Sequence, residues 1–542
     1  MILTSEQRTE AYVASGAWNN VTLSELLHRS AAATPETIAF EDVGAGAVPG
    51  LSARYAFADA ERRINGLAAF FAAVGLRPDM VLGIHLPPCA DAAIILFAAL
   101  KAGLVVAPLP IYWTKSEIEA AIEAASIKAM VTASEIEDEP SGELVRDVAA
   151  DTFAIRFVFA VGDGQPDGLI DLTEVLADLD ALGEAPDVAR RGEAADHIAL
   201  LSMARTPDDE LLIVPYSHNQ LVAIATGHLI EAGVTGSETV LSTMHPASLA
   251  SVAGSIATAL LSGGRIAFHH GTSLAGLASA VESIGADRIV LPEVMVGPLA
   301  ASLDRDVAFS AVGAGLGLAP APAARTVDLL TLGGLCLIPR ARDASGVTVA
   351  LPHGEARMGG VETAPVLFEA KIKTKAAARS RKRDSGELLL GGAAIPDAPW
   401  PEPQSGRRSA LLGVTSDGFL RTGLAADEQE GRLVITGTLG ETIGIAGITV
   451  SPKRLDELFR RHPGIEDAAV FPIEAGPVGH RLGLAVVPKA GERPSLTELL
   501  IWLDGEEAGK LDRPAALVSV KEIPRDADGA VRRQTLFLEA VA

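Results

Sequence analysis

The chain has 542 residues, 48% of them hydrophobic and 21% charged, which is a globular composition too long for one ordinary core. Its 69 acidic and 45 basic side chains leave a formal charge of −24, which argues against a protein that tracks nucleic-acid phosphates. The only cysteines, Cys89 and Cys336, are far apart in apolar surroundings, so they read as buried free thiols rather than a disulfide or a cysteine metal site.

The start of the chain, MILTSEQRTEAYVASG, lacks the basic residues and apolar core of a secretory signal. The most apolar run, Ala93 to Leu109, is interrupted by Lys101 and Gly103 and reads as a helix followed by a buried strand, not a membrane span. A cytoplasmic protein without membrane contact is expected. From Ala58 to Val74 the spacing of Ile64, Leu67, Ala68, Phe71 and Val74 predicts a helix with one apolar face. A buried strand at Val81 to Leu86, an apolar-faced helix at Ala90 to Ala102 and a strand at Val105 to Leu109 follow. Continuous apolar strands alternating with amphipathic helices imply a parallel sheet covered on both faces.

A strand at His197 to Met203 leads into the loop ARTPDDELLIVPYSHNQL, and a helix begins near Ser217. A further strand ends near His245 and Pro246, and another runs from Arg265 to His269. His269 and His270 are adjacent, so they point to opposite sides of a strand and do not read as paired ligands. GAGLGLAPAPAA follows Val312, and HGEAR spans His353 to Arg357. The run Lys371 to Arg383, KIKTKAAARSRKR, places seven basic residues in thirteen; it reads either as an exposed loop or as a dock for an acidic partner. Ser451 and Pro452 open a helix with Leu455, Leu458 and Phe459 on one side, ending at His462 and Pro463.

The stretch DGFLRTGLAADEQEGRLVITGTLGETIGIAGITVSP, Asp417 to Pro452, resembles the junction of the adenylate-forming (ANL) superfamily of acyl-CoA synthetases, adenylation domains and luciferases. The opening strands and helices and the closing LVSVKEIPRDADGAVRRQTL also resemble that family, so the likeness spans nearly the whole chain. It implies a large N-terminal assembly of packed α/β subdomains over residues 1–438, a hinge at Leu439, Gly440 and Glu441, and a small mobile α+β domain over residues 442–542. It also implies an acyl-pocket wall at Met244, His245, Ser248 and Ser251, and a glycine floor at Gly313, Gly315, Gly317 and Gly354.

Several positions matching the family's ATP contacts carry other residues. The phosphate loop keeps Thr206 but brings Asp208 and Asp209 in place of glycine and lysine. These acids are read as solvated, with Mg²⁺ binding as the lesser alternative, and no metal site is expected. The threonine and glutamate that touch phosphate and Mg²⁺ align with Ala356 and Arg357, the ribose aspartate with Leu424, the hinge-side arginine with Thr438 and the catalytic lysine with Ala530. Leucine accepts no hydrogen bond and alanine carries no charge, so ATP and Mg²⁺ are not expected as cofactors.

The leading expectation is therefore a protein that has lost adenylation and binds or processes an acyl thioester without ATP, by hydrolysis or acyl transfer. The thioester would be acyl-CoA or a phosphopantetheine-borne acyl group, with an acyl carrier protein docking on Lys371 to Arg383. His245 or His353 would activate water, with Glu355 orienting one of them, although a lone histidine at a strand end is also an ordinary structural residue. A non-catalytic scaffold and an active acyl-CoA ligase acting on a carboxylate are the alternatives, and either a monomer or a homodimer is allowed.

Overall fold

The fold is seen in a computed structural model, which describes all residues except 45, 52, 179–182, 186, 207–209, 272, 315–324, 333, 375–384, 402–410, 446–447, 476–479, 507, 527–528, 534 and 537–542. In chain order, β1 (Ile38–Asp42) and β2 (Arg54–Ala56) open one sheet. A second sheet is made by β3 (Val81–Ile84), β4 (Val105–Pro108), β5 (Ile127–Ala133), β6 (Phe157–Val161), β7 (Ile170–Asp171), β8 (Ile198–Arg205) and β9 (Leu211–Ser217). The chain then returns to the first sheet with β10 (Thr239–Ser242), β11 (Arg265–Phe268), β12 (Arg288–Pro292), β13 (Ala308–Gly313), β14 (Thr326–Leu332) and β15 (Cys336–Ala341). The strand orders are β15-β14-β13-β12-β10-β11-β1-β2 and β7-β6-β5-β3-β4-β8-β9.

One winding occurs twice. The orders β6-β5-β3-β4 and β13-β12-β10-β11 are the same arrangement of four successive strands, with all neighbours parallel. In each sheet the direction of winding reverses beside the first strand of the four, between β3 and β5 and between β10 and β12. Such a reversal opens a crevice at the carboxyl ends of the two strands, where open α/β sheets bind ligands.

The predicted helix over Ala58 to Val74 is Phe57–Ala73, with Ile64, Leu67, Ala68 and Phe71 buried. The helix Ala90–Lys101 differs from its reading as a one-faced helix, because every residue from Ala90 to Leu100 is buried, Asp91 included. It belongs to a core that also contains Leu82 of β3, Val131 of β5 and Ile266 of β11, so it has no solvent side. The stretch after Met203 is also not one long loop. β8 runs to Arg205, and the apolar run LLIVPY is the buried strand β9. Ser217 then caps the helix His218–Glu231 in a capping box with Gln220.

A six-stranded antiparallel sheet follows, with β16 (Leu351–Pro352), β17 (Gly354–Arg357), β18 (Val366–Thr374), β19 (Ser385–Gly391), β20 (Leu420–Gln429) and β21 (Arg432–Thr438). The chain divides into two compact units. One comprises residues 1–111, 118–204 and 211–437, and the other residues 112–117, 205–210 and 438–542. In the smaller unit Leu455, Leu458 and Phe459 of the helix Pro452–Arg460 pack with Ile465, Val470, Leu484, Leu499 and Leu503 in a core of their own. Among the described residues no helix is long and apolar enough to cross a membrane, and no cluster of three His, Cys, Asp or Glu could hold a metal.

Candidate active site

His245 lies three residues beyond the end of β10, beside the reversal between β10 and β12. Its Nδ1 accepts the Ala247 backbone N–H at 3.0 Å, while its Nε2 is sealed from solvent with no partner. Some of the residue's surface stays exposed, but the ring end does not, and burial there drives its pKa down to about 3; His85 and His270 lower it further. In the other winding His85 stands directly after β3, where its N–H donates to Val131 as that of Thr243 donates to Val290 after β10. It is fully buried, its Nε2 is also unpartnered, and burial lowers its pKa to about 4.

The other residues proposed for this wall sit nearby in the chain. Met244 donates its N–H to Ser242 Oγ, Ser248 caps the short helix Leu249–Ser251, and Ser251 is buried. A π-helical turn, Val252–Ala257, follows. Behind it runs a buried polar chain in which Arg288 grips Glu238 at 2.7 Å, and His228 joins Ser310 at 2.8 Å and Thr258 at 3.2 Å. Both ring nitrogens of His228 are occupied and the residue is wholly buried, so this serine–histidine contact holds the fold together.

His353 and Glu355 are placed differently from the reading that joins them to one mechanism. His353 lies between β16 and β17, half-exposed, and its Nδ1 pairs with Glu428 at 3.0 Å. Glu355 is exposed on β17 and pairs with Arg357 at 3.2 Å. No hydrogen bond links Glu355 to either histidine, because alternation along β17 and its neighbours directs each carboxylate to a different partner. Gly354 has φ +102° at the start of β17, a backbone conformation suited to glycine.

A carboxylate absent from the sequence reading stands beyond the strand neighbouring β10. Glu293 follows β12 directly, as the first residue of the helix Glu293–Ala300. Its Oε2 lies 2.5 Å from where a Cβ on Gly313 would be, so only glycine at the end of β13 leaves the carboxylate that space. Burial pushes the Glu293 pKa up to about 7; Asp328 adds to the rise and Arg342 opposes it. Asp328 and Arg342 form a buried pair at 2.7 Å, yet Arg342 Nη1 is buried without a partner. A carboxylate behind a proline at a strand end was the available sequence signal, but the strand order was needed to give it meaning.

At the remaining positions, Leu424 is 3% exposed and packed in the core. Ala356 is buried, and Arg357 donates to the Ala364 carbonyl at 3.0 Å. Thr206 Oγ1 accepts the Glu210 N–H at 3.1 Å, while the neighbouring Arg205 pairs with Glu117 at 2.7 Å. The Thr438 hydroxyl donates to the Gly440 carbonyl at 2.5 Å; Leu439 is exposed, and Glu441 is held by Arg533 at 2.6 Å. Ala530 is exposed in a turn, with its N–H on Asp526 Oδ1 at 2.9 Å. Asp208, Asp209, Gly315, Gly317 and residues 375–383 of the basic run lie outside the described residues. Lys371, at the start of that run, pairs with Asp417 at 2.5 Å.

A family model described as AMP-binding enzyme matches residues 27–200. The salicyl-AMP ligase / salicyl-S-ArCP synthetase of Mycobacterium tuberculosis is 25% identical over 559 residues, spanning 98% of this chain and 92% of that protein. Along nearly its whole length the chain is similar to adenylate-forming enzymes. Two solved structures share the adenylate-forming fold. Apo MbtA of Mycobacterium smegmatis matches with a TM-score of 0.65 at 22% identity, over 99% of this chain and 98% of that one. The amide bond synthetase McbA of Marinactinospora thermotolerans matches with a TM-score of 0.71 at 18% identity, over 96% and 99%.

Proposed function

We propose that this adenylate-forming homologue binds an acyl thioester, carried on CoA or on the phosphopantetheine of a carrier protein, and processes it without ATP by hydrolysis or acyl transfer. The observation that carries this reading is Leu424, a core leucine at the position of the family's ribose-binding aspartate. A buried alkyl side chain can neither accept from ribose hydroxyls nor turn outward without opening the core. Two further positions agree with it. Ala530 has no charge to place against a phosphate, and Arg205 already spends its guanidinium on Glu117.

A second reading, an active carboxylate ligase with an atypical nucleotide site, is favoured by the full-length similarity to a relative named as a ligase. Calorimetric titration with Mg·ATP, with an active family ligase as control, separates the two. The first reading expects no saturable heat at millimolar ATP. Clear saturation would overturn it, and pyrophosphate release in a carboxylate screen would then establish the ligase. Under the first reading Ala530→Lys also fails to create adenylation, because the other contacts are still absent.

A further inference from the structure

The reversal between β10 and β12 brings two chain segments to the carboxyl ends of neighbouring strands, the edge where open α/β sheets bind ligands: the turn carrying Met244 and His245 and the helix start carrying Glu293. The two candidate bases in this region are unlike. The sealed ring of His245 stays neutral down to about pH 3, so it holds a proton too weakly to exchange it efficiently near neutrality. Glu293 has no hydrogen-bond partner among the described residues and lies against the bare backbone of Gly313, whose own carbonyl is taken by Thr331 at 3.2 Å.

We propose that Glu293 is the proton acceptor of this site, activating a water molecule against the carbonyl carbon of a bound acyl thioester. The inference rests on the thioester reading above and adds a residue and a step to it. The Glu293 carboxylate takes one proton of the water as the water oxygen bonds to the carbonyl carbon. The carbon–sulfur bond then breaks, and the proton held by Glu293 passes to the departing thiolate. Thioester and water become carboxylic acid and thiol, and Glu293 returns to its carboxylate form.

The surroundings suit this role. A base works best when its pKa lies near the working pH, and burial raises Glu293 to about 7. The charged groups acting on it are Asp328 of β14 and Arg342 just after β15, and since they pair with each other their fields largely cancel. β13 carries no titratable side chain, Arg288 of β12 is gripped by Glu238, and Glu282 of the neighbouring helix Leu274–Ile284 is exposed. His245 is fixed by the Ala247 N–H with its other ring nitrogen sealed from solvent, and it takes no part in the proton transfer.

The test follows thiol release from acetyl-, hexanoyl- and benzoyl-CoA between pH 5.5 and 9, for the wild type, Glu293→Gln and His245→Ala. Binding of an S-alkyl-CoA thioether is measured in parallel by calorimetry. In the wild type kcat/KM should rise with pH through about 7. Glu293→Gln should lose that rise and about 100-fold or more of kcat, the contribution of a general base, while binding the thioether within a few-fold of wild type. His245→Ala should keep the shape of the pH profile. An active wild type whose Glu293→Gln variant retains rate and profile overturns the assignment of Glu293 alone. A wild type that binds the thioether but turns nothing over also removes the catalytic role. A wild type that neither binds nor hydrolyses any thioester overturns the thioester reading and this inference with it.

Discussion

Two side chains that follow neighbouring strands show how environment outranks residue type. Histidine is the ordinary candidate for a base near neutral pH, yet the sealed ring of His245 has been pushed out of that range, whereas Glu293 has been pushed into it. The shift at Glu293 has a consequence for stability that needs no substrate. Its folded-state pKa lies above the ordinary glutamate value of 4.5, so the folded protein holds this proton more tightly than the unfolded chain does. The associated stability is complete below about pH 4.5 and is lost as pH rises through about 7. Glu293→Gln should therefore match wild type near pH 4.5 and exceed it at pH 8. The gain should be on the order of 1 kcal/mol once screening by the remaining solvent contact is allowed for. Thermal melts at both pH values would check this, and a constant difference between them would contradict the shift.

At the level of elements, glycines mark where backbones come closest. The Gly263 and Gly264 pair stands just ahead of β11, and its reason lies in the neighbouring strand. A Cβ on Gly264 would strike the carbonyl of Glu238, which also accepts the Arg265 N–H at 3.1 Å. Gly264→Ala should lower stability by roughly 1–3 kcal/mol through displaced backbone, seen as an earlier urea midpoint. The π-helical turn Val252–Ala257 was not legible. Its wider winding is held by the hydroxyls of Ser255 and Thr258, which donate to the carbonyls five residues back, Ala250 at 2.7 Å and Ala253 at 2.9 Å. Nothing in SVAGSIATA distinguishes that bonding from ordinary α-helix. The strand β9 was hidden differently, because LLIVPY follows a motif whose resemblance suggested a loop, while its apolar run belongs inside a sheet.

For the whole molecule, separate hydrophobic cores in the larger and smaller units set the expectation for unfolding. Each core is held by its own contacts, so calorimetry should resolve more than one transition, and a ratio of calorimetric to van't Hoff enthalpy of one would contradict this. The larger unit repeats one four-strand winding in two sheets, and the residues that correspond just beyond the first strand of each are His85 and Thr243, whose N–H groups donate to Val131 and Val290. The repeat does not show in the residue types at those positions.

The sequence by itself determined what local pattern can determine: the strand and helix alternation, the helices beginning after Ser217 and Ser451, of which the first is capped by its serine side chain, the burial of both cysteines, and the framework shared with adenylate-forming enzymes. It also determined which side chains stand at the family's nucleotide positions, since that is a matter of identity alone. Only the tertiary structure decided what the candidate residues can do. Strand order placed Glu293 against Gly313 at the end of β13, packing closed the His245 Nε2 off from solvent, and folding gave His353 to Glu428 and Glu355 to Arg357 of its own strand. The physical reason is that protonation and hydrogen bonding depend on desolvation and on neighbours distant in sequence, and these exist only once the chain has folded.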